Sequence, residues 1–173
     1  MTQLTYNEAF DPYHAVFRYI RIWKGCDLDG KTHFDMLRIL DFYLLFPFRI
    51  QNMSLFAQDR GWRRISKAYE YQKPYGELPD DVTVFSRMEP FQRAAISSLV
   101  KSGVLSADAW RNNQVEFLST ELPPQLVNRC FSLNSAMQDI IEILCGLRER
   151  YPLLGRSGLK DRTGLLEFRY DSV

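Results

Sequence analysis

The apolar residues Met137, Ile140, Ile141, Leu144 and Leu147 recur at the three- and four-residue spacing of one helix face, a period that returns along much of the chain and most limits its fold. Such a stripe is satisfied by burial against another element, so the chain is expected to be mainly α. It covers too few heptads for a coiled coil and reads as core rather than as a dimer seam. Ser135 is placed to cap this helix, which should end near Tyr151-Pro152.

The same reading gives the other elements. Asp11-Pro12 opens a helix over 12–23, with Tyr13, Val16, Phe17, Ile20 and Trp23 on one face and Gly25 as its stop. Thr32 with Asp35 forms a capping-box pattern for a second helix carrying Met36, Leu37, Leu40, Tyr43 and Leu44, which Pro47 ends near Phe46. A third helix is expected over 54–69, and Pro74, Gly76 and Pro79 then mark a long loop from Tyr71 to Asp81.

Beyond that loop a short apolar turn leads to Pro90, and a helix from Phe91 is closed by Gly103. Val104-Leu105, a turn at Asn112-Asn113 and the alternating strand 114–118 follow. Helix, glycine, apolar pair, turn and strand stand in the order expected around the wing of a winged helix. Pro123-Pro124 opens a short helical face of Leu126, Val127 and Cys130, and a final strand is expected over 165–170. The expected architecture is a single domain over 1–173, mainly α with a small β element. It has a helical part over about 11–70, a winged-helix-like part over about 82–120, and C-terminal helices with a tail over 123–173.

Lys and Arg number 22 against 21 Asp and Glu, so whole-molecule charge implies neither a nucleic-acid nor a membrane partner. Cys26, Cys130 and Cys145 are odd in number and form no C-x-x-C pair, so they read as reduced, mostly buried thiols. No apolar stretch approaches the roughly 18 residues of a membrane span, and no signal-peptide pattern opens the chain, so a cytoplasmic location is expected. The 12 Phe, 9 Tyr and 3 Trp exceed what a core of this size comfortably encloses, which places some aromatic rings at an interface.

Tests for chemistry return little. Only His14 and His33 could serve a nucleophile, and no local pattern sets a Ser or Cys beside either; they read as a helix-surface residue and a first-turn residue. Asp27-Leu28-Asp29-Gly30 resembles part of a calcium loop, but aligning Gly30 with the sixth position puts Gly25 at the first and Met36 at the twelfth, where oxygen ligands are needed. The segment reads as an Asp-Gly turn. Cys26, Asp27, Asp29 and His33 match no zinc spacing, and Gly155, Gly158 and Gly164 lack the P-loop pattern. No enzyme activity, metal or cofactor is expected.

One local charge cluster stands out. Arg60, Arg63, Arg64, Lys67 and Lys73 face Glu70 alone, with Trp62, Tyr69, Tyr71 and Tyr75 interleaved, a combination suited to phosphate contact and stacking or to a solvated helix face. Tyr71 and Tyr75 in the loop, with Lys160 and Arg162 in the tail, are candidate partner contacts.

Four segments carry a family resemblance: Leu37 to Pro47 (LRILDFYLLFP), Tyr71 to Tyr75 (YQKPY), Ser86 to Ala95 (SRMEPFQRAA) and Gly158 to Leu165 (GLKDRTGL). They resemble the middle components of bacterial three-component ABC ATPase systems, a group that includes Lamassu-type anti-phage defence. The resemblance implies a non-enzymatic small subunit bound to a dimeric, DNA-sensing, SMC-like ABC ATPase and to an effector such as a nuclease. DNA would be met indirectly or through the local basic patch, and no membrane is involved. The alternative is a stand-alone winged-helix DNA-binding regulator, although its recognition segment, 91–103, holds only Arg93 and Lys101 as cations.

Overall fold

The computed structural model describes residues 8–74, 76–118 and 120–167. Helix α1 (Pro12–Cys26) starts at Asp11, whose carboxylate accepts from the Tyr13 amide at 2.7 Å, and ends at Asp27 in the left-handed conformation. Gly25 therefore lies inside the helix rather than stopping it. A side chain there would strike Asn134 and Ile141, each 2.9 Å from its Cβ position, so this glycine lets later helices close on α1.

Strand β1 (Lys31–His33) leads into α2 (Phe34–Leu45). Thr32 is in the strand and not at the cap; the His33 Nδ1 accepts from the Asp35 amide at 3.1 Å and takes that role. A 3-10 turn over Pro47–Asn52 follows, as Pro47 requires. The helix expected over 54–69 is shorter: a 3-10 turn at Ala57–Asp59 precedes α3 (Trp62–Ala68). Another turn at Glu70–Gln72 opens the loop that ends at Asp80.

Helix α4 (Asp81–Lys101) runs unbroken through Pro90. The missing amide costs one hydrogen bond. Burial of Val84, Phe85, Met88, Gln92, Ala95, Ile96 and Leu99 along one side outweighs that loss, while Pro90 itself faces outward. The apolar turn expected before Pro90 is thus helical, and Gly103, at φ +73°, closes the helix as its position suggests.

Helix α5 (Ala107–Arg111) and strand β2 (Gln114–Glu116) follow. Strand β2 pairs antiparallel with β1, Thr32 opposite Val115, and Leu105 bridges Phe117 beyond the strand end. The chain is mainly helical with one small antiparallel sheet. Helices α6 (Pro124–Ala136) and α7 (Gln138–Arg150) break at Met137, so Ser135 belongs to the first of them and caps nothing. In the tail the chain forms α8 (Leu159–Thr163); residues 165 and 166 of the expected strand are bends, 167 is irregular, and its remainder lies outside the described residues.

The hydrophobic core runs continuously from Ala9 to Leu165. Helix α1 is central to it, packing on α2, α4, α6 and α7. Because several helices surround it, α1 buries Ala15, Tyr19, Ile20 and Ile22, so its apolar contacts extend beyond the single stripe that periodicity marks. At its C-terminal end Cys26 and Cys145 form a disulfide, Cα atoms 5.2 Å apart and 119 residues apart in sequence; Cys130 is a buried free thiol. This corrects the expectation of three reduced thiols, which rested on count and local spacing, and neither registers a pairing made by tertiary packing.

A polar network crosses this core. Asp41, with no exposed surface, accepts from Arg18 at 2.5 and 3.2 Å and from the Gln92 amide at 2.8 Å. The Gln92 oxygen in turn accepts from Arg38 at 3.0 Å, and Arg38 reaches Asp35 and Glu89. Helices α1, α2 and α4 are thereby tied through one carboxylate.

Three outcomes are expected. Asp41→Ala leaves Arg18 buried and unpaired and should lower unfolding free energy by ~3–5 kcal/mol in chemical denaturation, while the double change Arg18→Met with Asp41→Leu should cost clearly less. The Tyr151 hydroxyl accepts from the Phe56 amide at 2.9 Å and donates to Asp59 at 2.8 Å, and burial, with the Asp59 carboxylate adding to it, pushes its phenol up to about 12. A folded value above the ordinary 10.0 means this contribution is whole below pH 10 and is lost as pH rises through about 12, which alkaline titration of the circular dichroism signal would follow. Alkylation of the denatured, unreduced chain should label one cysteine, Cys130, and labelling of all three would refute the Cys26–Cys145 bond.

Candidate interaction surface

The basic cluster is organised by α3. Ser66, fully buried, donates to the Pro47 carbonyl at 2.7 Å and accepts from the Gln51 amide at 3.1 Å, which fixes the helix on the 3-10 turn beneath it. Trp62 lies against Gly146 of α7, where a side chain would approach the indole to 2.8 Å, and the Tyr69 hydroxyl donates to Asp139 at 2.7 Å. With that side committed, the helix period turns Arg63, Arg64 and Lys67 outward. They and Arg60 are exposed, and none forms an ion pair among the described residues. Lys73 is exposed and reaches Glu70 at 3.5 Å. The structure thus brings four unpaired cations to one face.

The other predicted residues have different surroundings. Tyr71 is 75% exposed and stacks on Tyr69, while Tyr75 lies outside the described residues. Lys160 is buried and pairs with Asp35 at 3.3 Å. Arg162 stacks on Phe56 at 4.0 Å and donates to the Ser54 and Ser157 carbonyls, holding the tail against the 54–59 segment. These two tail cations are engaged inside the chain.

An open groove of about 740 Å³ runs between α1 and α6. On α1 it is lined by Tyr13, Phe17 and Arg21, which share one stripe at four-residue spacing, and on α6 by Leu126, Arg129 and Leu133. Tyr13 is 83% exposed, so part of the face that periodicity assigns to the core is left uncovered. Tyr71 lines the same groove. Arg21 is 8% exposed; its Nε donates to the Asn134 amide oxygen at 2.9 Å, and it has no carboxylate within ion-pair distance among the described residues. Burial pulls its guanidinium below the ordinary value. Sequence reasoning passed over Arg21 and Arg129. The available signal for Arg21 was a cation inside the apolar run Tyr19 to Trp23.

Among the described residues no cluster of three or more His, Cys, Asp or Glu side chains is placed to hold a metal ion, and no helix is long and apolar enough to cross a membrane. No curated protein and no solved structure matches the chain significantly. The sequence profile described as ABC-three component (ABC-3C) system Middle Component 5 matches residues 4–171, nearly the whole chain. With that extent of match, the chain belongs to the ABC-3C Middle Component 5 family.

Proposed function

We propose that this chain is a non-enzymatic bridging subunit that joins the ABC ATPase of its system to an effector. In this reading the ATPase is a dimeric, SMC-like DNA sensor, the effector is an enzyme such as a nuclease, and the assembly is an anti-phage defence of the Lamassu type acting in the cytoplasm. The observation that carries the proposal is the family match over residues 4–171, which assigns a middle-component role beside an ATPase and a further component. Two solvent-facing surfaces not used by the core, the basic face of α3 and the groove beside α1, give such a subunit room for more than one partner.

A second reading, direct binding of DNA by this chain, is favoured by the unpaired Arg60, Arg63, Arg64 and Lys67. The basic face of α3 suits phosphate contact better than the second half of α4 suits groove reading as a winged-helix recognition element. Arg93, one of the two cations there, pairs with Glu89 at 2.8 Å and lies over the Phe34 and Trp110 rings. DNA would then be held by charge, without sequence readout.

Co-purification with the products of the neighbouring genes tests the bridging role: the tagged chain should retain both an ABC ATPase and a second protein, and failure to retain either would sink the proposal. The double change Arg63→Glu with Arg64→Glu tests the α3 face as a partner surface, and loss of one retained component would assign it that use. If the α3 face touches phosphates, the double change should reduce the slope of log affinity for duplex DNA against log salt by about 2.

A further inference from the structure

We infer that the groove between α1 and α6 is the seat of an amphipathic helix from one of the partner components, whose acidic side chain pairs with Arg21. This deepens the bridging reading and rests on it. The geometry points to a helix because both walls are helical stripes. Tyr13, Phe17 and Arg21 repeat every four residues along α1, and Leu126, Arg129 and Leu133 fall on one face of α6. Two such ridges side by side present a furrow into which the side chains of a third helix interlock.

Charge complementarity identifies the occupant. Among the described residues this Arg, 8% exposed, bonds through its side chain only to an amide oxygen and a thioether, and has no carboxylate within ion-pair distance. Among the described residues, Asp41 is taken by Arg18 and Gln92, and Glu8, on the groove's edge, acts on Arg21 only from beyond ion-pair distance. Arg129, exposed and in no ion pair among the described residues, adds a second positive charge at the rim and sits over the Phe17 ring at 5.6 Å. A carboxylate delivered into this space would meet Arg21 at close range and Arg129 at the edge. Apolar neighbours of that carboxylate would cover Phe17, Leu126 and Leu133.

The aromatic rim agrees with a protein partner. Tyr13 and Tyr71, 83% and 75% exposed, flank the groove as large rings with a polar tip, the side chains that carry binding energy in protein contacts. Helix α6 itself is thinly covered. Only Cys130 and Asn134 of its residues are buried, whereas Phe131 is 53% and Leu133 36% exposed.

The test uses the full chain co-expressed with the other two components, capturing each on the tagged chain. Tyr13→Ala and Arg129→Glu alter exposed positions and should leave the thermal midpoint unchanged. Each, together with Arg21→Met, should lower recovery of one component by about tenfold or more while the other is retained. An Arg21→Glu chain should lose the same component and regain it when the partner's contacting carboxylate is replaced by Lys. If all three single variants retain both components as the wild type does, the groove is not the seat and the inference fails while the bridging role stands. If the wild type captures neither component, the bridging reading itself falls and takes the inference with it. Self-association of the isolated chain that Arg129→Glu abolishes, seen by sedimentation, would assign the groove to a second copy and overturn the inference.

Discussion

A single buried carboxylate organises the helices of this chain. Asp41 sits midway along α2 with no exposed surface and gathers Arg18 of α1 and Gln92 of α4 onto its two oxygens. Charged groups in such a place gain little over an apolar filling of equal volume, yet each is indispensable once the others are present. The arrangement sets how α1, α2 and α4 meet, because only one mutual position lets every donor find its acceptor. Surfaces elsewhere follow from it: with α1 fixed against α2 and α4, its Tyr13, Phe17 and Arg21 stripe is left facing α6 across an open groove.

Helical character was legible in the apolar spacing, even in helices that pack on several neighbours at once. Ile140, Ile141, Leu144 and Leu147 of the expected stripe are buried in α7, with Met137 at the break before it, and Leu37, Leu40 and Leu44 are buried in α2, where every residue but Asp35 is buried. It was least legible where tertiary contacts overrule local preference. Gly25 stays helical because Asn134 and Ile141 need the space, and Pro90 stays helical because the burial on either side of it is continuous. Strand β1 could not be read at all, since a three-residue strand exists only through a partner far along the chain. The same holds for the disulfide, whose two cysteines come together through the packing of α1 on α7.

For the candidate surface, composition and periodicity reached the basic face of α3 because its cations are adjacent in sequence and share an exposed helix side. They did not reach the groove. Its two walls are more than a hundred residues apart, as the Arg21 to Asn134 contact shows with its separation of 113, so no window along the chain holds both. Lys160 and Arg162 illustrate the converse. A basic tail looks free in sequence, but Asp35 and the ring of Phe56 claim these side chains once the tail folds back.

The central position of α1 bears on how the chain is made. Its neighbours α4, α6 and α7 and its covalent tether at Cys145 all emerge from the ribosome long after it does, and β1 waits for residues 114–116. Helix α1 can meet α2 early, but its packing on α4, α6 and α7 waits for residues 81–150. Until then an apolar helix bearing Tyr19, Ile20 and Ile22 is open to other contacts.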